Sequence, residues 1–109
     1  MYQELASKLV IPVNGTEYLP LIDMTGYNAV SVEVTVFTGA NVTVMVQTGN
    51  DSANYSDTTS TTTGTGPAYK FCAHTVFGQI ASKYVRVKLT TNAVLAIVAV
   101  GINCTNIGA

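Results

Sequence analysis

Residues 30–36 read Val-Ser-Val-Glu-Val-Thr-Val. Successive side chains of an extended strand point to opposite faces, so this order puts Val30, Val32, Val34 and Val36 on one face and Ser31, Glu33 and Thr35 on the other. One face is core and the other is wet. After the turn-rich Thr38-Gly39-Ala40-Asn41, the pattern returns in Val42-Thr43-Val44-Met45-Val46-Gln47, which predicts a hairpin of the two strands. Residues 84–89 form a third clear case with Arg86 and Lys88 outward, and Thr90-Thr91-Asn92 then turns the chain. Weaker strands are predicted over 8–13, 16–22 and 69–76. Residues 94–102 break the rule. Val94, Ala96, Val98 and Val100 face one way, but Leu95, Ile97, Ala99 and Gly101 face the other, so both faces are apolar. The second must be covered by a loop, by the N-terminal segment or by another subunit.

Strands at this turn-punctuated spacing predict an all-β fold, an antiparallel β-sandwich or jelly-roll-like barrel of about seven to eight strands. Residues 1–109 make one domain, long enough to close a single core. Within it, 1–12 is predicted as an extended or weakly helical N-terminal arm that frays or docks on a neighbour. The Thr-rich stretch 56–67 has nothing to anchor a core and is expected as an exposed loop, with β-branched threonines continuing a hairpin edge as the alternative.

Charged residues make up only 10% of the chain, against about 25% in ordinary soluble domains. Thr, Ser, Asn and Gln must then solvate the surface, and such a surface is cheaper to desolvate against a partner. A net charge of −1 without a basic patch gives no expectation of a nucleic-acid partner. The first eight residues lack the charged and apolar regions of a signal peptide, so folding in a cytosol is expected. The longest apolar run, 93–100, is too short for a helix to span a bilayer, and no membrane partner is expected. Cys72 and Cys104 match no metal spacing and are expected as reduced, buried small hydrophobes, a disulfide being the alternative.

Chemistry is scarce. His74, the only histidine, lies two positions from Cys72 on a predicted strand, without a third group to orient it as a base. No nucleophile elbow, phosphate-cradling loop or metal-binding histidine pair is present in the sequence. Asn50-Asp51-Ser52-Ala53-Asn54 with Asp57 gathers oxygen ligands, but without the glycine and terminal glutamate of a calcium-binding helix–loop–helix it reads as a turn. No catalytic residue, cofactor or metal ligand is therefore assigned. Large apolar side chains on nominally wet faces point instead to a contact surface, with Phe37, Met45, Leu95 and Ile97 as its anchors. Tyr55 and Tyr69, flanking the Thr-rich stretch, are the candidates for a sugar contact if the domain binds glycans.

Residues 42–57, a strand followed by an Asn-Asp turn and Tyr55, together with Ser82-Lys83-Tyr84-Val85-Arg86-Val87-Lys88-Leu89, resemble small β-sandwich proteins of tailed-bacteriophage virions, including capsid decoration (cement) proteins. They are also similar to a stripped-down discoidin-type jelly roll. The first resemblance implies a non-catalytic virion protein made in the host cytoplasm. Its partners would be copies of itself, often as a trimer, and the major capsid or another virion protein, whose particle it would stabilise. The second implies a carbohydrate-binding module.

Overall fold

The valine faces pack against each other across two sheets rather than within one hairpin. A computed structural model describes residues 2–66, 69–75 and 82–106, with 58–62 and 69–75 described by their backbone. These residues form nine strands, β1 (Tyr2–Ile11), β2 (Thr16–Tyr18), β3 (Ile22–Asp23), β4 (Ala29–Val36), β5 (Asn41–Gly49), β6 (Ser56–Thr65), β7 (Tyr69–Thr75), β8 (Tyr84–Thr91) and β9 (Ala96–Thr105). One sheet has the order β1-β9-β4-β7. The other has the order β2-β8-β5-β6, with β3 also on β8. All pairings are antiparallel.

β2 and β3 lie end to end along one edge of β8. Thr16–Tyr18 face Lys88–Thr90, and Ile22–Asp23 face Tyr84–Val85. Leu19 N still donates to Val87 O at 2.9 Å, but Pro20 has no N–H and interrupts the ladder. Counted as one, they leave four strand positions in each sheet. The chain crosses between sheets at every connection except β5–β6, so the two sheets form the antiparallel β-sandwich that the sequence predicted.

The core follows from the alternation. Val30, Val32, Val34 and Val36 of β4 and Ala96, Val98, Val100, Ile102 and Cys104 of β9 are buried, facing Val42, Val44 and Val46 of β5 and Val85, Val87 and Leu89 of β8. Ile11, Leu19, Ile22 and Met24 close its open side.

Three expectations are corrected. β4 and β5 do not form a hairpin: β4 pairs with β7 and β9, and β5 with β6 and β8. Two strands that each bury a valine row satisfy both rows best face to face, so the 37–40 connection bridges the sheets. Residues 56–65 are a strand and not a loop. β6 pairs with β5 from Asn41↔Thr65 to Thr48↔Ser56 at the edge of its sheet, and its β-branched threonines suit a strand. The N-terminal segment is not an arm but the edge strand β1, paired with β9 from Tyr2↔Asn103 to Ile11↔Ala96, with Leu5, Ala6 and Leu9 against the core. Residues 1, 67 and 76, the outer limits of three predicted segments, lie outside the described residues.

The register also separates the cysteines. Cys72 stands opposite Glu33 on one side of β4 and Cys104 opposite Val30 on its other side. Two strand spacings, about 9.6 Å, exceed the Cα separation of about 7 Å that a disulfide tolerates. The Cys104 thiol is buried, and desolvation raises its pKa above the ordinary 9.0.

Candidate contact surfaces

The outer face of the β1-β9-β4-β7 sheet becomes apolar at one end. Val10 of β1 is opposite Ile97 of β9, and Phe37 continues the β4 register by donating its N–H to Ile97 O at 2.8 Å. Val10, Ile97 and Phe37 thus form one row across three strands. Beside them runs the β8–β9 connection. Asn92 Oδ1 accepts from Val94 N at 3.2 Å within the connection, and Thr38 Oγ1 donates to Leu95 O at 2.8 Å, which ties it to the β4–β5 connection. Val94 and Leu95 are left 43% and 42% exposed, Phe37 45% and Val10 52%. Val13, also exposed, belongs to the same end, because the next residue's N–H donates to Asn92 O.

Three of the four proposed anchors, Phe37, Leu95 and Ile97, therefore come together. Met45 does not join them. It lies on β5 in the opposite sheet, half-buried between Lys88 and Thr61 in the register. Val10, Val13 and Val94 were not foreseen. Val10 lies in the predicted strand 8–13, and its pairing with Ile97 is what places it on the wet face.

The far end of β9 is covered differently. Gly101 is buried because the Tyr2 ring lies over it. Glu4 and Glu33 flank this glycine across the ladder, and with Tyr2, Thr35 and Ala99 they line a shallow depression. The second apolar face of β9 is thus closed at one end by a side chain of the chain's own first strand and open at the other.

The outer face of the second sheet is polar and aromatic. On β8, the Arg86 guanidinium carbon lies 4.2 Å from the Tyr18 ring centroid and 4.2 Å from that of Tyr55. Its Nε donates to Gln47 Oε1 at 2.6 Å, and Gln47 Nε2 donates to Asp57 Oδ1 at 2.6 Å. Gln47, on the outward side of β5, is nonetheless only 6% exposed, covered by this cluster. The pairing of β5 with β6 shifts between Met45 and Gln47, which brings Asp57 opposite Gln47. The Tyr55 hydroxyl is buried and has no hydrogen-bond partner among the described residues.

The two sugar-contact candidates part company. Tyr55 precedes β6 and Tyr69 opens β7 in the other sheet, so the ten-residue β6, roughly 30 Å long, separates them. One face of the Tyr55 ring is taken by Arg86, and the Tyr69 side chain lies outside the described residues. So do the side chains of Cys72 and His74, whose backbones stand opposite Glu33 and Ser31.

The oxygen-rich loop is a turn. Asp51 Oδ1 accepts from Ala53 N at 2.8 Å and Asn54 N at 2.7 Å, and Asn54 Nδ2 reaches Oδ2 at 3.1 Å. The Asn54 side chain first, then the two backbone donors, hold the Asp51 carboxyl below its usual range.

No family model and no curated protein matches this sequence. Solved structures match its fold. The PBSX exported protein XepA aligns over 100% of this chain and 38% of its own, with a TM-score of 0.79 at 8% identity. PirA aligns over 94% of both chains, with a TM-score of 0.63 at 9% identity. A chain in the structure of infectious bursal disease virus, Gx strain, aligns over 99% of this chain and 32% of its own, with a TM-score of 0.57 at 9% identity. The chain thus spans little more than a third of XepA and less of the viral chain, and at these identities the likeness is one of fold.

Proposed function

We propose that the chain is a non-catalytic structural protein of a virion, made in the host cytoplasm, which assembles with copies of itself and with a neighbouring capsid or other virion subunit and stabilises the particle. The observation that carries this reading is the exposed apolar end formed by Val10, Phe37, Val94, Leu95 and Ile97 on a chain with only 10% charged residues. Full burial of an aliphatic or aromatic side chain is worth about 1.5–3 kcal/mol, so completing the burial of five partly exposed ones supplies on the order of 5 kcal/mol. That suits the centre of an interface, with Thr- and Ser-bearing strand faces as its rim. The viral structure among the fold's likenesses, and the resemblance of residues 42–57 and 82–89 to phage decoration proteins, support the virion context. A trimer is the assembly that this resemblance favours.

Sedimentation velocity at micromolar concentration tests the reading. The unaltered chain is expected to sediment as an oligomer, and the double variant Phe37→Asp, Leu95→Asp as a folded monomer. Met45→Asp, on the other outer face, is expected to leave assembly unchanged. A monomeric unaltered chain that also fails to bind virion particles would remove the proposal.

A further inference from the structure

The Arg86 cluster asks for a different ligand from the apolar end, and it does not depend on assembly. An arginine side chain normally gives up considerable rotamer freedom when it binds anything. Here that freedom is already lost, because the guanidinium is flanked by the Tyr18 and Tyr55 rings and its Nε is held by Gln47. Gln47 is itself fixed at its other end by Asp57 and is almost wholly buried. The carboxylate nearest in this chain of contacts therefore reaches Arg86 only through an amide. Among the described residues no carboxylate pairs with the guanidinium and no group bonds its Nη atoms. A rigid, unneutralised fork of N–H donors is the arrangement that recognises a planar carboxylate. Lys88, two residues along on the same face of β8, adds positive charge beside it.

The surroundings favour a sugar over a protein as the carrier of that carboxylate. A stable protein interface needs an apolar centre, and on this face Met45 is the only aliphatic side chain in the described ladder between Arg86 and the Thr43↔Thr90 pair. Hydroxyls dominate instead. Thr43 and Thr63 meet across β5–β6 with their Oγ1 atoms 3.0 Å apart, and Thr16 faces Thr90 across β2–β8. Tyr18 remains 49% exposed, leaving ring surface for the C–H face of a pyranose. The buried Tyr55 hydroxyl of the same cluster has no partner among the described residues, a defect that native structures rarely keep without cause.

We infer that the outer face of β8 is a binding site for an acidic oligosaccharide, whose carboxylate is held by the Nη edge of Arg86 while Tyr18 takes the ring and the threonines about 13 Å along the sheet take the hydroxyls of the next units. The test is calorimetric or NMR titration of the intact chain with galacturonate, glucuronate and sialic-acid oligosaccharides, their methyl esters, and a hexaglutamate peptide. At least one acidic oligosaccharide is expected to bind, with its methyl ester and the peptide each roughly tenfold weaker or worse. Arg86→Lys, which keeps the charge but not the fork, is expected to lose roughly tenfold as well. Absence of binding by every acidic oligosaccharide at millimolar concentration overturns the inference. So does an ester or a peptide that binds as well as the acid, or an Arg86→Lys protein that binds undiminished. The acid-against-ester comparison uses the unaltered chain, so it decides the matter even if a variant misfolds. Repeating it on the Phe37→Asp, Leu95→Asp protein separates the outcome from that of the assembly proposal.

Discussion

A side chain at position 49 would have nowhere to go. A Cβ built there meets the backbone carbonyl of Asn54 and comes within 3.2 Å of the Tyr55 ring. The carbonyl cannot retreat cheaply, because the Asp51 carboxylate holds the N–H groups of Ala53 and Asn54 and closes the turn. Gly101 makes the contrast. A Cβ there meets the hydroxyl end of Tyr2, a side chain 60% exposed and free to swing into solvent. Gly49→Ala is therefore expected to cost about 1–3 kcal/mol, as overpacking against fixed neighbours does. Gly101→Ala should stay within about 1 kcal/mol. Urea denaturation of the two variants gives the order directly, and equal midpoints would contradict it.

Among the strands, β1 contributes most beyond what its sequence announces. It lies along β9 and buries Ile11 completely, with Leu5, Ala6 and Leu9 partly buried behind it. Truncating one fully buried isoleucine to alanine typically costs about 2–5 kcal/mol, and a domain of this size holds only about 5–15 kcal/mol in all. Deleting residues 2–11 is expected to abolish the cooperative thermal transition followed by circular dichroism, and retention of that transition would mean that β1 is dispensable. Its register with β9 shifts twice, between Glu4 and Ala6 and between Ala6 and Leu9, which scrambles the period-two pattern that would have marked it in the sequence. β6 escaped notice for another reason, since threonines on an edge carry no inside–outside contrast. Where valines alternated, as in β4, β5 and β8, strand and face were legible from the residues. Periodicity assigns a side chain to a face but not a strand to a sheet. That is why Phe37, Leu95 and Ile97 lie at one end of one sheet while Met45 went to the opposite side. The contact between Arg86 and Gln47 joins residues 39 positions apart and had no local signal at all.

Taken whole, the molecule couples its few ionisable groups to pH at both ends of the scale. Asp23 accepts from Thr25 Oγ1 at 2.6 Å and from Thr25 N at 2.9 Å, and these bonds, with a smaller pull from Lys83, hold its carboxyl below the ordinary 3.8. Asp51 is lowered in the same way by its turn. A carboxyl whose folded pKa lies below its unfolded value contributes stability that is complete above the unfolded value and is lost as pH falls through the folded one. The acid loss from these two groups therefore begins near pH 3.8 and extends below it. It should be modest, because both carboxylates are exposed and screened by solvent. At the alkaline end the sign reverses. The Cys104 thiol, raised by burial, stays protonated in the fold when an unfolded thiol ionises, so above about pH 9.0 the unfolded state binds fewer protons and stability declines. Denaturation midpoints measured from pH 2 to 10 are expected to fall at both ends. Asp51→Asn should flatten part of the acid fall and Cys104→Val part of the alkaline one. An acid limb identical in Asp51→Asn and the unaltered chain would show that the turn carboxylate is not coupled to folding.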